Sequence, residues 1–492
     1  MWSGTRYTTR CNDGLRVIGN KMVMKMNERI FREYDVRGIV GKDLNRDIAL
    51  RIGRAFASFV KERNPWGKTL SVGRDIRNSS DDLASGIIEG IISTGMDVCD
   101  IGVCPTPVQY FSLFHLELDG GVMVTGSHNP PEYNGFKLSI GRETIHGAEI
   151  QKLREMVTGR ACVISGKKGE VGNCDILKAY RDYMVKEFSY LRESRFRRLT
   201  VVVDAGNGTA GMLVPDLLRG IGCEVVPLYC EPDGNFPNHH PDPTVPEYMK
   251  DLIAETKRLR ADAGIGYDGD ADRIGVVNNE GDIIWGDQLM MVLSREILRK
   301  NPGAGVIGDV KCSQLMFDEI ERHGGRPIMW KTGHSLIKQK MKDEGALLAG
   351  EFSGHIFIGD RYFGYDDAIY TTLRLAEIMK TTGKNMKDLL SDVPGRYGTP
   401  EMRIDCPDDR KKGVVGEVVE RFLEYRKNGK SAQRILDLNT IDGVRVRFEK
   451  GWALVRASNT QPVIVMRAEA EDEGSLAGYR TFVEEEIGKA RG

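Results

Sequence analysis

Three carboxylates stand two residues apart in Asp268-Gly269-Asp270-Ala271-Asp272-Arg273, directly after an apolar run. At that spacing their oxygens can converge on one hard cation, whereas unpaired they repel one another; a solvated acidic turn is the alternative. An EF-hand does not fit, because its sixth position, normally Gly, is Arg273 and its twelfth, normally Glu, is Asn279. A Mg²⁺ loop remains. Thr125-Gly126-Ser127-His128-Asn129-Pro130 places a hydroxyl at a strand-to-loop turn beside a histidine, with Asn-Pro keeping the backbone out of helix. Such a serine could carry a transferable group, or the segment could be a plain turn. No Gly-x-Ser-x-Gly elbow supports esterase chemistry. Gly350-Glu351-Phe352-Ser353-Gly354-His355 offers a carboxylate, a hydroxyl and an imidazole suited to sugar hydroxyls, though a helix-capping loop would read the same. Arg456-Ala457-Ser458-Asn459-Thr460-Gln461-Pro462 supplies a guanidinium, hydroxyls and an amide that match phosphate oxygens, and Arg467 follows on the next strand; a polar surface turn is the other reading.

The elements that must hold these loops repeat three times. An apolar strand ending in a polar turn recurs at Ser71–Asp75, Val201–Gly206 and Val306–Lys311, each ahead of an amphipathic stretch. A second strand entering a Gly-rich loop recurs at Val122–Ser127, Gly264–Asp270 and Leu347–Phe352. Strand–helix alternation with short loops predicts three tandem α/β domains with mixed or mostly parallel sheets, and loops at the carboxyl ends of such strands would face one cleft. After Pro394-Gly395 a charged helical stretch and hairpin-like strands around Asp442-Gly443 and Lys450-Gly451 predict an α+β domain. The expected division is an extension at 1–26, α/β domains at 27–173, 174–282 and 283–394, and the α+β domain at 395–492.

Composition narrows the function classes. The 492 residues carry 70 Lys plus Arg against 71 Asp plus Glu, a net charge of −1, so no basic surface for nucleic acid is expected. No apolar run is long enough to span a bilayer. Nine dispersed cysteines without a Cys-x-x-Cys pair give neither a disulfide framework nor a zinc site, and a reducing, cytoplasmic compartment is expected. Residues 1–26 are basic and acid-poor but lack an apolar secretory core, and read as a disordered or mis-started extension. Gly206-x-Gly208-x-x-Gly211 and Gly264-x-Gly266-x-x-Gly269 imitate a dinucleotide fingerprint, yet Asp204 and the aspartate triplet beside them would repel a pyrophosphate. The sequence leaves monomer and homodimer both open.

Taken together and in this order, the TGSHNP, DGDADR, GEFSGH and RASNTQP loops resemble the signature set of the α-D-phosphohexomutase superfamily, closest to the bacterial and archaeal phosphomannomutase/phosphoglucomutase group. The resemblance runs from Phe31 to near the C-terminus. It implies four domains around a deep cleft and the interconversion of hexose 1- and 6-phosphates through a hexose 1,6-bisphosphate, with glucose or mannose 1,6-bisphosphate as activator. Ser127 would then be the phosphoserine, with Asp268, Asp270 and Asp272 holding Mg²⁺ against it and Arg273 oriented near the transferring group. By the same resemblance Glu351 and Ser353 contact sugar hydroxyls, Arg456, Ser458, Asn459 and Thr460 bind the non-transferring phosphate, and Arg467 assists. Tyr34, Arg37, Lys137, Lys311, His334 and His355 match positions that line the cleft. Gly126 resembles the mannose/glucose enzymes, whereas Phe352 departs from their usual Met. Mannose and glucose phosphates are therefore the expected substrates. The alternatives are a phosphoglucosamine mutase, a non-catalytic sugar-phosphate or cation-binding protein and, more remotely, a dehydrogenase.

Overall fold

A computed structural model describes residues 15–18, 21–24, 26–159, 162–459 and 461–491. In the first α/β unit the strand Thr69–Arg74 lies between the parallel strands Asp97–Val103 and Gly120–Val124, and Tyr133–Ile140 adds antiparallel to the latter. The second unit repeats the plan: Thr200–Asp204 lies between Glu224–Leu228 and Ala263–Tyr267, with Ile274–Val277 antiparallel beyond. In the third, Gly305–Asp309 lies between Arg326–Trp330 and Leu348–Gly350, with Ile356–Ile358 antiparallel. The tandem signals in the sequence are thus the central strand and the parallel neighbour that leads into the antiparallel strand in each unit. Thr200–Asp204 and Gly305–Asp309 are almost wholly buried, as expected of strands covered on both faces. The second sheet continues through Ile283–Ile284, past the boundary expected at 282.

Helix packing follows from spacing and glycine. The helix Arg46–Arg63 starts where Asn45 accepts a hydrogen bond from the Ile48 amide at 2.9 Å, and it buries Ile48, Ile52, Phe56 and Phe59 on one face. It lies tightly against the helix Ser80–Ile92, because a Cβ on Gly90 would come 2.1 Å from the Leu50 carbonyl oxygen and one on Gly53 would come 2.3 Å from that of Ile87. The last unit is an antiparallel sheet with the helices Lys411–Asn428 and Glu473–Arg491 packed on it through Phe422, Phe448, Tyr479 and Phe482.

Two findings differ from the sequence expectations. Leu15–Ile18 and Lys21–Met24 pair as an antiparallel hairpin inside the segment expected to be an unstructured extension. The sequence carried a signal for this pairing, since a Gly-Asn dipeptide between two short apolar-rich runs is a pattern that favours a hairpin. Residues 1–14 of that extension lie outside the described residues. A disulfide joins Cys99 to Cys174, which the dispersed cysteines did not suggest. The two are 75 residues apart, and they meet because Val98–Asp100 pairs in parallel with Val171–Asn173, bringing Cys174 back beside Cys99. Among the described residues, no helix is long and apolar enough to cross a membrane.

Candidate active site

Each central α/β strand ends in, or runs straight into, an aspartate that organises a loop at the site. Asp75 accepts from the Thr125 hydroxyl at 2.8 Å and the Gly126 amide at 3.2 Å. Asp204 accepts from the Gly206 amide at 2.9 Å, and Asp309 from the Thr332 hydroxyl at 2.9 Å. Arg77, fully buried beside Asp75, donates to the carbonyls of Ser127, Asn129, Pro130 and Tyr133 at 2.6–3.0 Å. This corset holds Ser127 at φ 49°, a left-handed backbone unfavourable for a side-chain-bearing residue, and presents its hydroxyl at the tip of the turn. Gly126 is required there, since a Cβ would lie 2.5 Å from the Arg77 guanidinium carbon. Gly126→Ala is expected to destabilise the protein by about 1–3 kcal/mol, as overpacking does, measured by urea denaturation, and to lower turnover by displacing Ser127.

Ser127 Oγ donates to Asp268 Oδ2 at 2.8 Å. Asp268, Asp270 and Asp272 are completely buried, and an oxygen from each lies within 4.8 Å of the others. Lys137 from the strand Tyr133–Ile140 reaches between them, donating to Asp270 Oδ2 at 2.7 Å and to Asp272 Oδ2. Burial and repulsion from Asp272 and Asp270 push the Asp268 carboxyl well above its usual range. Burial would raise Asp270 as well, but the Lys137 ammonium holds it below that range. Asp270 Oδ1 and Asp272 Oδ1 are buried without a hydrogen-bond partner. Two orphan carboxylate oxygens beside a serine hydroxyl form a donor set that fits a hard divalent cation. The second glycine set in the imitated dinucleotide fingerprint closes this loop: a Cβ on Gly269 would lie 2.6 Å from the Ser127 carbonyl oxygen, and one on Gly208 would lie 2.8 Å from that of Gly269. These glycines permit loop-to-loop contact.

The loops meet in a cavity of about 470 Å³ lined by all four units. The first contributes Tyr34, Arg37, Ser127 and Lys137, and the second Asp272 and Arg273. Lys311, His334, Glu351, Ser353 and His355 come from the third, and Arg456, Ser458 and Asn459 from the last. Arg37 donates to Asn129 Oδ1 at 2.8 Å and to Asp35 at 2.6 Å. Tyr34 ties three units together, donating to the Thr332 carbonyl at 2.8 Å and accepting from Asn459 Nδ2. Arg456 Nε is held by Asp442 at 2.9 Å, while its buried Nη2 has no hydrogen-bond partner and is a donor available to an anion. Glu351 accepts from the Gly333 amide at 2.5 Å, and burial raises its carboxyl above the usual range. Lys311 lies 3.2 Å from Glu401, whose carboxyl it holds down at about 2. Burial, with Lys338 nearby, holds the His334 imidazole well below its usual range; burial, with Arg273 and Arg37 nearby, does the same to His128.

One expected site residue lies elsewhere, and another is not described. Arg467 is absent from the cavity lining: its guanidinium stacks on Phe352 at 3.7 Å, donates to the Lys311 carbonyl and lies 3.6 Å from Asp287, pinning the last unit to the third. Strand alternation turned it inward, beneath the sugar loop rather than toward it. Thr460 lies outside the described residues. Reasoning from the sequence missed Asp75, Arg77, Lys338, Asp366, Glu401 and Asp442. Only the aspartates ending the central strands carried a signal, since Asp75, Asp204 and Asp309 recur at matching places in the repeat.

Comparisons with known proteins agree with this architecture. Four domain profiles of the phosphoglucomutase/phosphomannomutase family match in order: alpha/beta/alpha domains I, II and III at residues 28–159, 178–281 and 285–397, and the C-terminal domain at 401–486. A phosphomannomutase/phosphoglucomutase of Pseudomonas aeruginosa is 45% identical over 460 residues, 93% of this chain and 95% of that protein. A phosphoglucomutase of Neisseria gonorrhoeae is 43% identical, covering 91% of this chain and 94% of that one. The crystal structure of a phosphoglucomutase/phosphomannomutase family protein from Burkholderia thailandensis superposes with TM-score 0.86 at 39% identity, covering 95% of this chain and 98% of the other. With four domains matched in order around one shared cavity, the chain belongs to the phosphoglucomutase/phosphomannomutase family of the α-D-phosphohexomutase superfamily.

Proposed function

We propose that this hexose-phosphate mutase interconverts the 1- and 6-phosphates of mannose and glucose through a phosphorylated Ser127. The observation that carries the reading is the Ser127 hydroxyl at 2.8 Å from Asp268, at the meeting point of a buried carboxylate triplet and a cavity rich in cations. Asp268, Asp270 and Asp272 would hold Mg²⁺, which when bound supplies charge neutralisation for the phosphoryl oxygens. The bond from phosphorus to Ser127 Oγ breaks as the free hydroxyl of the sugar phosphate bonds to phosphorus, giving a hexose 1,6-bisphosphate; the proton lost by that hydroxyl balances the one Ser127 Oγ gains as it returns to a free hydroxyl. After the bisphosphate turns over, Ser127 takes back the other phosphoryl group and the isomeric monophosphate is left. Lys137 and Arg273 flank the transferring group, Glu351 and Ser353 hold sugar hydroxyls, and Arg456, Ser458 and Asn459 hold the distant phosphate. Glucose or mannose 1,6-bisphosphate would serve as activator by phosphorylating Ser127.

The test is ³¹P NMR of the purified protein with Mg²⁺ and catalytic glucose 1,6-bisphosphate, given mannose 1-phosphate and glucose 1-phosphate in parallel. Conversion of both to 6-phosphates supports the reading, and conversion of neither overturns it. Arg456→Ala is expected to raise KM about tenfold to a hundredfold, the loss of one charged hydrogen-bonding group, while intact-mass measurement still finds Ser127 phosphorylated. An unchanged KM would remove Arg456 from the phosphate site.

A further inference from the structure

Asp366 lies just before the helix Ala368–Thr382, outside every motif singled out in the sequence, yet it sits against two imidazoles of the cleft. Its carboxylate is completely buried. Oδ2 lies 3.2 Å from His355 Nδ1 and 3.7 Å from His334 Nδ1, within reach of charge attraction though not aligned as a hydrogen bond to either, and the two rings stack at 5.6 Å with 22° between their planes. Oδ1 accepts from Lys338 Nζ at 3.1 Å, and that ammonium in turn lies 4.0 Å over the Tyr110 ring. On the far side of His355, Nε2 receives a hydrogen bond from Arg273 Nε at 2.9 Å.

The direction of that last bond fixes the rest. A guanidinium Nε–H only donates, so His355 Nε2 must accept, and the single proton of the neutral ring stands on Nδ1, facing Asp366. We propose that Asp366 is a positioning residue of the cleft, which fixes the Nδ1–H tautomer of His355 and thereby aims the Arg273 guanidinium into the cavity. Asp272 Oδ1 also lies near His355 Nδ1, at 3.7 Å, and Asp272, His355 and Asp366 have the donor types of a metal site. A cation on Nδ1 would move the ring proton to Nε2, against Arg273 Nε–H, so the geometry assigns this cluster to orientation. Lys338 balances the Asp366 charge, and the backbone bridge between Arg273 and His355 keeps the pair in register.

The proposal rests on reading the cleft as a phosphoryl-transfer site, where an aimed guanidinium stabilises charge on the moving group. It is tested on the full chain labelled with ¹⁵N-histidine; there are eight histidines, and His355→Gln assigns the signal. Long-range ¹H–¹⁵N spectra are expected to place the His355 proton on Nδ1 in the unaltered protein. In Asp366→Asn the amide can present an N–H to Nδ1, and His355 is expected to shift toward the Nε2–H form. The turnover number should then fall about tenfold to a hundredfold, as when an outer-shell partner is lost, with KM for the sugar phosphate little changed. In a His355→Gln background the same substitution should cost far less, because both changes break one chain of contacts.

An unaltered protein that is active but carries the His355 proton on Nε2 overturns the proposal without any variant, so a misfolded Asp366→Asn does not shelter it. So does an Asp366→Asn protein that keeps either its tautomer or its turnover. An unaltered protein with no mutase activity instead overturns the functional reading on which the proposal rests.

Discussion

Ser127→Ala is expected to give a folded protein whose conversion of mannose 1-phosphate and glucose 1-phosphate is lower by about 10⁴-fold or more, the scale of loss when a covalent nucleophile is removed. The hydroxyl is small, and Arg77 holds this loop through backbone carbonyls, so the Ser127 side chain contributes little to its shape. What disappears is the acceptor for the phosphoryl group. Two measurements check this: ³¹P NMR of conversion, and intact mass after incubation with glucose 1,6-bisphosphate. The unaltered protein should carry one phosphoryl group and the variant none. A variant that still isomerises either sugar phosphate would end the phosphoserine reading.

Lys137→Met has the largest expected effect on stability. The ammonium is buried among Asp268, Asp270 and Asp272, and it is the cation that directly bridges two of them. Removing one partner from a buried ionic cluster costs about 3–5 kcal/mol, because the carboxylates left behind have neither water nor counter-charge. Methionine keeps the length and loses the charge, so the cost is electrostatic. The deficit should be largest in EDTA and should shrink in millimolar Mg²⁺, since a cation that binds only the folded state stabilises it by mass action.

The pH dependence has a definite sign. Lys137 holds Asp270 below its ordinary range, so in the unaltered protein this carboxylate contributes stability above its unfolded pKa that is lost as pH falls through the depressed value. The variant lacks that contribution, and the difference between the two proteins widens as pH rises. Urea denaturation at several pH values, with EDTA or Mg²⁺, measures both trends. A gap that ignores Mg²⁺ would separate Lys137 from the metal site. Turnover should fall as well, since Lys137 lines the cavity beside Ser127.

The four chemical loops were legible because each is local. Three carboxylates at alternate positions, a serine before His-Asn-Pro, and an arginine ahead of Ser-Asn-Thr are spacings along the chain, and no folding is needed to see them. The threefold repeat was legible for a related reason. A strand buried on both faces must be written as a continuous apolar run, and the loop after it must turn sharply, so Val201–Val203 and Val306–Ile307 stand out in any register. The repeat also carries more than it first discloses: the aspartates at 75 and 309 clamp neighbouring loops, while Asp204 clamps its own turn.

What only the tertiary structure decided depends on contacts across long stretches of chain. Cys174 reaches Cys99 through a parallel strand pairing that no spacing announces. Arg467 belongs by sequence to a phosphate-binding neighbourhood, but the pleat of its strand turns it onto Phe352, where it joins two domains. Tyr34 meets Asn459 across 425 positions, and Arg273 meets His355 across 82. Asp366 sits in an aromatic-rich stretch outside the four motif loops and gains its place only when the third unit folds His334 and His355 against it. The sequence by itself determined which chemistry the loops could perform, because residue type and spacing set donors, acceptors and charge. Which side chains support that chemistry was left to packing, because a buried charge finds its partner in whichever domain the fold brings within about 4 Å, where the low dielectric makes the pairing strong.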